Sequence, residues 1–140
     1  MSDLLKLRQE HARLLEIAGR LGKVVCGLHP PDAGDLFKLR HDLSSTLIAH
    51  LKSEDWVLYP RLLASAEGKI AQTARTFNDE MGGLAQAYMA YADKWTATSI
   101  ESDWPGYCGE TKSIIEALST RITRENRELY PLLEAVDKAA

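Results

Sequence analysis

Four stripes of apolar residues, spaced three and four apart, decide most of what this chain can become. The first runs Leu4, Leu7, His11, Leu14, Ala18, Leu21 and Val25. That spacing lines one face of an α-helix and predicts a first helix over roughly residues 3–26, ended by Gly27. Pro30 and Pro31 break the pattern, and Leu36, Leu39, Leu43, Leu47, His50, Glu54, Val57 and Leu58 resume it in a helix running to about Ser65. After Gly68 a third stripe comprises Ile70, Ala74, Phe77, Met81, Ala85, Tyr88, Ala92 and Trp95, weakened locally by Gly82-Gly83. Residues 96–104 read as the longest loop. The fourth stripe is Ile114, Leu118, Arg121, Glu125, Leu129, Leu132 and Val136, in a helix that can begin at Pro105 with Asp103 near its cap. No segment alternates as a strand does. Short connections make neighbouring helices antiparallel, so the expected fold is all-α: an up-down-up-down four-helix bundle forming a single domain over residues 1–140.

Charge narrows the range of partners. Seventeen Lys plus Arg stand against twenty Asp plus Glu, for a net charge of −3, and the basic residues are scattered singly. That distribution offers no footprint for a phosphate backbone, so no nucleic acid is expected. No apolar run approaches the length of a membrane span, and Asp3, Arg8 and Glu10 interrupt the N-terminal segment where a secretory signal would be apolar. The expectation is a cytoplasmic protein without a membrane partner. Cys26 and Cys108 are too few for a disulfide framework and read as free thiols, which the bundle topology would bring to one pole.

Four ionisable residues sit where the stripes demand apolar ones: His11, His50, Glu54 and Glu125. A carboxylate or imidazole buried alone costs several kcal/mol, to order of magnitude, so these groups are expected to converge on one another, on a cation or on water. His50 and Glu54, four residues apart, lie one above the other on a helix face, as two ligands of one metal would. A lone core histidine more often donates to a carbonyl, and it is the company of His50 and Glu54 that brings His11 into the set. His29, in a turn, and His41, beside Arg40, read as surface residues.

An internal echo reinforces the pattern. His50 to Pro60 (HLKSEDWVLYP) aligns, at an offset of 71, with Arg121 to Pro131 (RITRENRELYP), sharing a Glu followed by Leu-Tyr-Pro. A proline inside a helix removes a hydrogen bond and kinks it, so the two prolines read as a repeated bend, or alternatively as two helix ends.

On His11, His50-x-x-x-Glu54-x-x-x-Leu58-Tyr59-Pro60 and Glu125-x-x-x-Leu129-Tyr130-Pro131, the chain resembles the hemerythrin-like, or HHE cation-binding, family over essentially its whole length. The resemblance implies a four-helix bundle around a carboxylate-bridged di-iron centre, used for oxygen binding, for oxygen or nitric oxide sensing, or for iron handling. By that pattern His11 and His50 match ligands of one iron, and Glu54 and Glu125 match the carboxylates that bridge to the other. The second iron's histidines are missing: the matching positions are Met81 and Arg121, a further third-helix position is Ala85, and no histidine follows His50. An intact di-iron centre is therefore not expected. Arg121 brings a permanent charge to the place of the lost cation, where it can pair with both carboxylates, and Met81 can fill the vacated volume.

Three functions remain open on this reading. The favoured one is a degenerate, metal-free domain acting as a regulatory or interaction module with a protein partner. The alternative is a sensor or storage protein holding one divalent metal (iron, manganese or zinc) on His11, His50, Glu54 and Glu125. The third is an oxygen- or peroxide-reactive non-haem iron protein. No catalytic residue is assigned.

Overall fold

The computed structural model describes residues 2–139. Every regular element among them is helical: α1 (Ser2–Val24), α2 (Ala33–Lys52), a π-helical turn π1 (Ser53–Leu58), α3 (Tyr59–Leu63), α4 (Gly68–Met81), α5 (Leu84–Lys94), α6 (Ala97–Ser102), α7 (Trp104–Arg124), a second π-helical turn π2 (Glu125–Leu129) and α8 (Tyr130–Ala139). None of these helices is long and apolar enough to cross a membrane.

The predicted first stripe is buried throughout, from Leu4 to Val25. α1 stops two residues short of its predicted end, leaving Cys26 in the turn. At α2 the Asp32 side chain accepts from the Gly34 backbone N–H, satisfying one of the donors that every helix start exposes. The segment read as a loop contains α6 instead. Its signal is local: Thr96 and Ser99 form a reciprocal capping box. Asp103 then caps α7 by accepting from the Gly106 N–H. Gly82 and Gly83 part α4 from α5, and a Cβ at Gly82 would collide with the Asn78 carbonyl oxygen.

Neither proline ends its helix or simply bends it. Each follows a π turn, in which the N–H of Tyr59 reaches back to the Glu54 carbonyl and the N–H of Tyr130 to the Glu125 carbonyl, five residues earlier. Widening the helix there shifts the buried face by one position. Val57 and Val136, expected in the core, are consequently 48% and 39% exposed, while Tyr59 and Tyr130 are buried.

The apolar core forms two clusters. One holds Leu14 to Val25 of the first stripe, Leu36 to Leu51, Leu84 to Trp104, Tyr107, Leu118 and Ile122. The other holds Leu4, Leu7, Tyr59, Leu62, Ile70, Ala74, Phe77, Leu129, Tyr130 and Leu133. His11, Glu54 and Glu125 fall between the two clusters in sequence, and His50 and Arg121 sit one turn from Glu54 and Glu125 at the edge of the first cluster, so these five form a buried polar layer.

Both cysteines are free, with Cys26 exposed and Cys108 buried. The Trp104 indole N–H donates to the Gly27 carbonyl at 3.1 Å, joining the end of the first stripe to the start of α7, as the expected shared pole requires. Burial pushes the Cys108 thiol up, with Lys112 opposing and Cys26 adding to the shift. Iodoacetamide at neutral pH is therefore expected to label Cys26 at least about tenfold faster than Cys108, since the thiolate is the reacting species. Equal labelling, timed by mass spectrometry, would contradict that placement.

Candidate metal centre

His11, His50, Glu54 and Glu125 each offer one ligand atom to a common centre, and those four atoms all lie within 4.8 Å of one another. α1 supplies His11, the last turn of α2 supplies His50, and the glutamates stand at the start of the π turns, Glu54 second in π1 and Glu125 first in π2. All four side chains are at most 2% exposed. His29 and His41 are exposed and take no part.

The outward nitrogens of the two imidazoles are already committed. His50 Nδ1 donates to Glu10 Oε1 at 2.7 Å, and His11 Nδ1 donates to Asn126 Oδ1 at 2.8 Å. Fixing the proton on Nδ1 turns the Nε2 lone pair of each ring inward. Inward, each Nε2 meets a carboxylate: His50 Nε2 lies 3.0 Å from Glu54 Oε1, and His11 Nε2 lies 3.1 Å from Glu125 Oε1. Each contact sets two acceptors face to face, so a proton or a metal cation must lie between them. His50 Nε2 and Glu125 Oε1 indeed have no hydrogen-bond partner although both are buried.

The remaining carboxylate oxygens are tied across the bundle by the two echoed tyrosines. Tyr59 donates to Glu125 Oε2 at 2.7 Å, and Tyr130 donates to Glu54 Oε2 at 2.6 Å. Each π turn is thus followed at once by a phenol that holds the glutamate of the other. In an ordinary α-helix a residue five positions on would point about 140° away; the π turn brings it to the glutamate's face. Burial, then the neighbouring carboxylates, raises both phenols above their ordinary values, so they stay protonated as donors.

Arg121 closes the layer. Its Nε donates to Glu125 Oε2 and its Nη2 to Glu54 Oε1, both at 3.2 Å, while Nη2 also donates to Asp55 Oδ1 at 2.5 Å. Nη1 donates to the Met81 carbonyl at 3.3 Å, where α4 ends and its carbonyls lack helical partners. The guanidinium also lies over the Tyr59 ring at 5.4 Å. It is only 2% exposed, so it does not reach out to solvent. Met81 and Ala85 are half-buried. A groove of about 530 Å³, lined by Met81, Leu84, Ala117 and Arg121 among others, opens beside them.

The charges are unequally distributed. Burial pushes the Glu54 carboxyl up, but His50 and Arg121 outweigh it and hold it at about 2. Glu125 is raised, by burial and then by the Glu54 charge, against the pull of His11 and Arg121. Burial disfavours the charged form of His50, yet Glu54 and Glu10 overcome it and raise its pKa.

The layer therefore contains five residues that sequence reasoning did not place in it: Glu10, Asp55, Tyr59, Asn126 and Tyr130. Three are chain neighbours of candidate ligands, and the two tyrosines stood in the echoed Leu-Tyr-Pro without an assigned role. Comparison with known families matches residues 3–133 to the description hemerythrin HHE cation binding domain. No curated protein and no solved structure matches the chain.

Proposed function

Because the chain belongs to the hemerythrin HHE cation-binding domain family, we propose that it binds a single divalent metal, iron, manganese or zinc, through His11, His50, Glu54 and Glu125. The observation that carries this reading is the pair of acceptor-to-acceptor contacts, with His50 Nε2 and Glu125 Oε1 buried and unpartnered. Two imidazoles and two carboxylates suit a borderline divalent ion. Bound there, such an ion would supply Lewis acidity. Glu10 and Asn126 orient the imidazoles, Tyr59 and Tyr130 orient the carboxylates, and the two apolar clusters keep bulk water from the layer. Arg121 takes the place of a second metal, which makes the centre a degenerate one.

The same reading takes residues 1–140 as one domain with up-down-up-down topology. Supporting it, successive long elements pass between the two apolar clusters in alternating order: Leu7 to Leu14, Leu47 to Leu62, Phe77 to Leu84 and Leu118 to Leu133.

Metal content decides the matter. Purified protein loaded with zinc or ferrous iron should hold one ion per chain, by elemental analysis and by titration calorimetry. Glu10→Gln should weaken binding roughly 10–100-fold, the usual penalty for losing the partner that orients a ligating histidine. Unchanged affinity in that variant would refute the orienting role. A second reading, the metal-free regulatory or interaction module with a cytoplasmic protein partner, draws support from Arg121, which already pairs with both buried carboxylates. Protein that takes up no metal would favour it.

A further inference from the structure

Resting on the single-metal reading, we propose that Arg121 determines the valence of the ion the centre accepts, admitting a divalent cation and discriminating against trivalent ones. The guanidinium hydrogen-bonds the same two carboxylates that face the imidazoles, at 3.2 Å from Glu54 Oε1 and from Glu125 Oε2. Both acids are 0% exposed and Arg121 is 2% exposed, so water screens little of the interaction. A guanidinium cannot shed its proton to relieve repulsion, as a lysine ammonium or an imidazolium can.

Nor is it free to swing aside. Asp55 Oδ1, the Met81 carbonyl and the Tyr59 ring hold it from three further directions. Its charge is thus a fixed part of the centre, present whether or not a metal is bound.

The charge count shows the effect. Glu54 and Glu125 are the fully buried acids, and Arg121 reduces their joint charge from minus two to minus one. A divalent ion then leaves one positive charge in the layer, and a trivalent ion leaves two. With a neutral residue at position 121 the corresponding charges would be zero and one. The cost of an uncompensated buried charge grows steeply with its size, so the penalty for the third positive charge is larger with the arginine than without it. Asp55 and Glu10, whose side chains are 19% and 25% exposed, are reached by solvent and offset the difference only in part.

Zinc(II) and gallium(III) provide a redox-silent pair of probes. In competition on the purified protein, gallium offered as its nitrilotriacetate complex should fail to displace an equimolar zinc ion from the wild type. In Arg121→Gln the gallium-to-zinc affinity ratio should rise at least about tenfold. A merely structural role for Arg121 would change stability and both affinities together without moving the ratio. Displacement of zinc by gallium from the wild-type protein would overturn the inference, and that measurement requires no variant to fold. An unchanged ratio in a folded Arg121→Gln protein would overturn it as well. Failure of the wild type to bind zinc would instead overturn the metal reading beneath it.

Discussion

Arg121→Ala should cost the fold about 3–5 kcal/mol, the usual consequence of removing one partner from a buried ion pair and leaving the other uncompensated. Four groups lose a donor at once: Glu54, Glu125, Asp55 and the Met81 carbonyl at the end of α4. The loss should appear as a lower urea midpoint with little change in slope, because the surface exposed on unfolding is nearly the same. Two conditions should return part of it. Zinc that binds the folded chain stabilises by mass action and places a cation beside the orphaned acids. Mild acid protonates those acids, so the gap between variant and wild type should narrow as the pH falls. Linkage sets the sign: the wild type holds Glu54 at about 2, below its ordinary 4.5. The stability that this contributes is complete above 4.5 and lost toward 2, and the variant has less of it to lose. A variant as stable as wild type at neutral pH would show that the guanidinium is not needed to balance the layer.

Two irons per chain are expected from the double substitution Met81→His and Arg121→His, against one for the wild type. The change removes the resident positive charge and offers imidazoles from the end of α4 and from α7, the two positions where the family resemblance places the second iron's histidines. Glu54 and Glu125, released from the guanidinium, would each have an oxygen free to turn toward that ion. Iron per chain, determined after anaerobic loading and gel filtration, gives the answer directly. A stoichiometry that stays at one would mean that the break at Gly82-Gly83 has carried position 81 out of reach of the centre. Met81→His alone should remain at one, since Arg121 would still fill the space and repel the cation.

Much of this was legible in the sequence. Stripes of period 3.6 fix the helices because a half-buried helix must keep one face apolar, and their polar interruptions at His11, His50, Glu54, Arg121 and Glu125 mark one buried layer for the same reason. What the sequence misplaced was register. Extending an α-helical period through Glu54 and Glu125 put Val57 and Val136 in the core, whereas the π turns deliver Tyr59 and Tyr130. Periodicity cannot reveal a widened turn in advance, because a single inserted residue changes the phase only of the residues beyond it. The echo recorded the repeat of Glu and Tyr, but not that each tyrosine serves the glutamate of the other segment.

The loop read over residues 96–104 failed for a different reason. α6 is six residues long and has only one buried residue, Ile100, so it presents no stripe, and only the Thr96–Ser99 capping pair betrays it. Which residues are buried and charged was thus set by the sequence, since burial on a helix follows from local spacing. Which nitrogen of each histidine faces inward, which oxygen is left unpartnered and that Asp55 joins Glu54 and Glu125 at Arg121 were decided only by the tertiary structure. The histidine orientations depend on atoms 40 and 115 positions apart in the chain, Glu10 against His50 and His11 against Asn126, and Arg121 reaches Asp55 across 66 positions, so only packing brings these groups within hydrogen-bond distance.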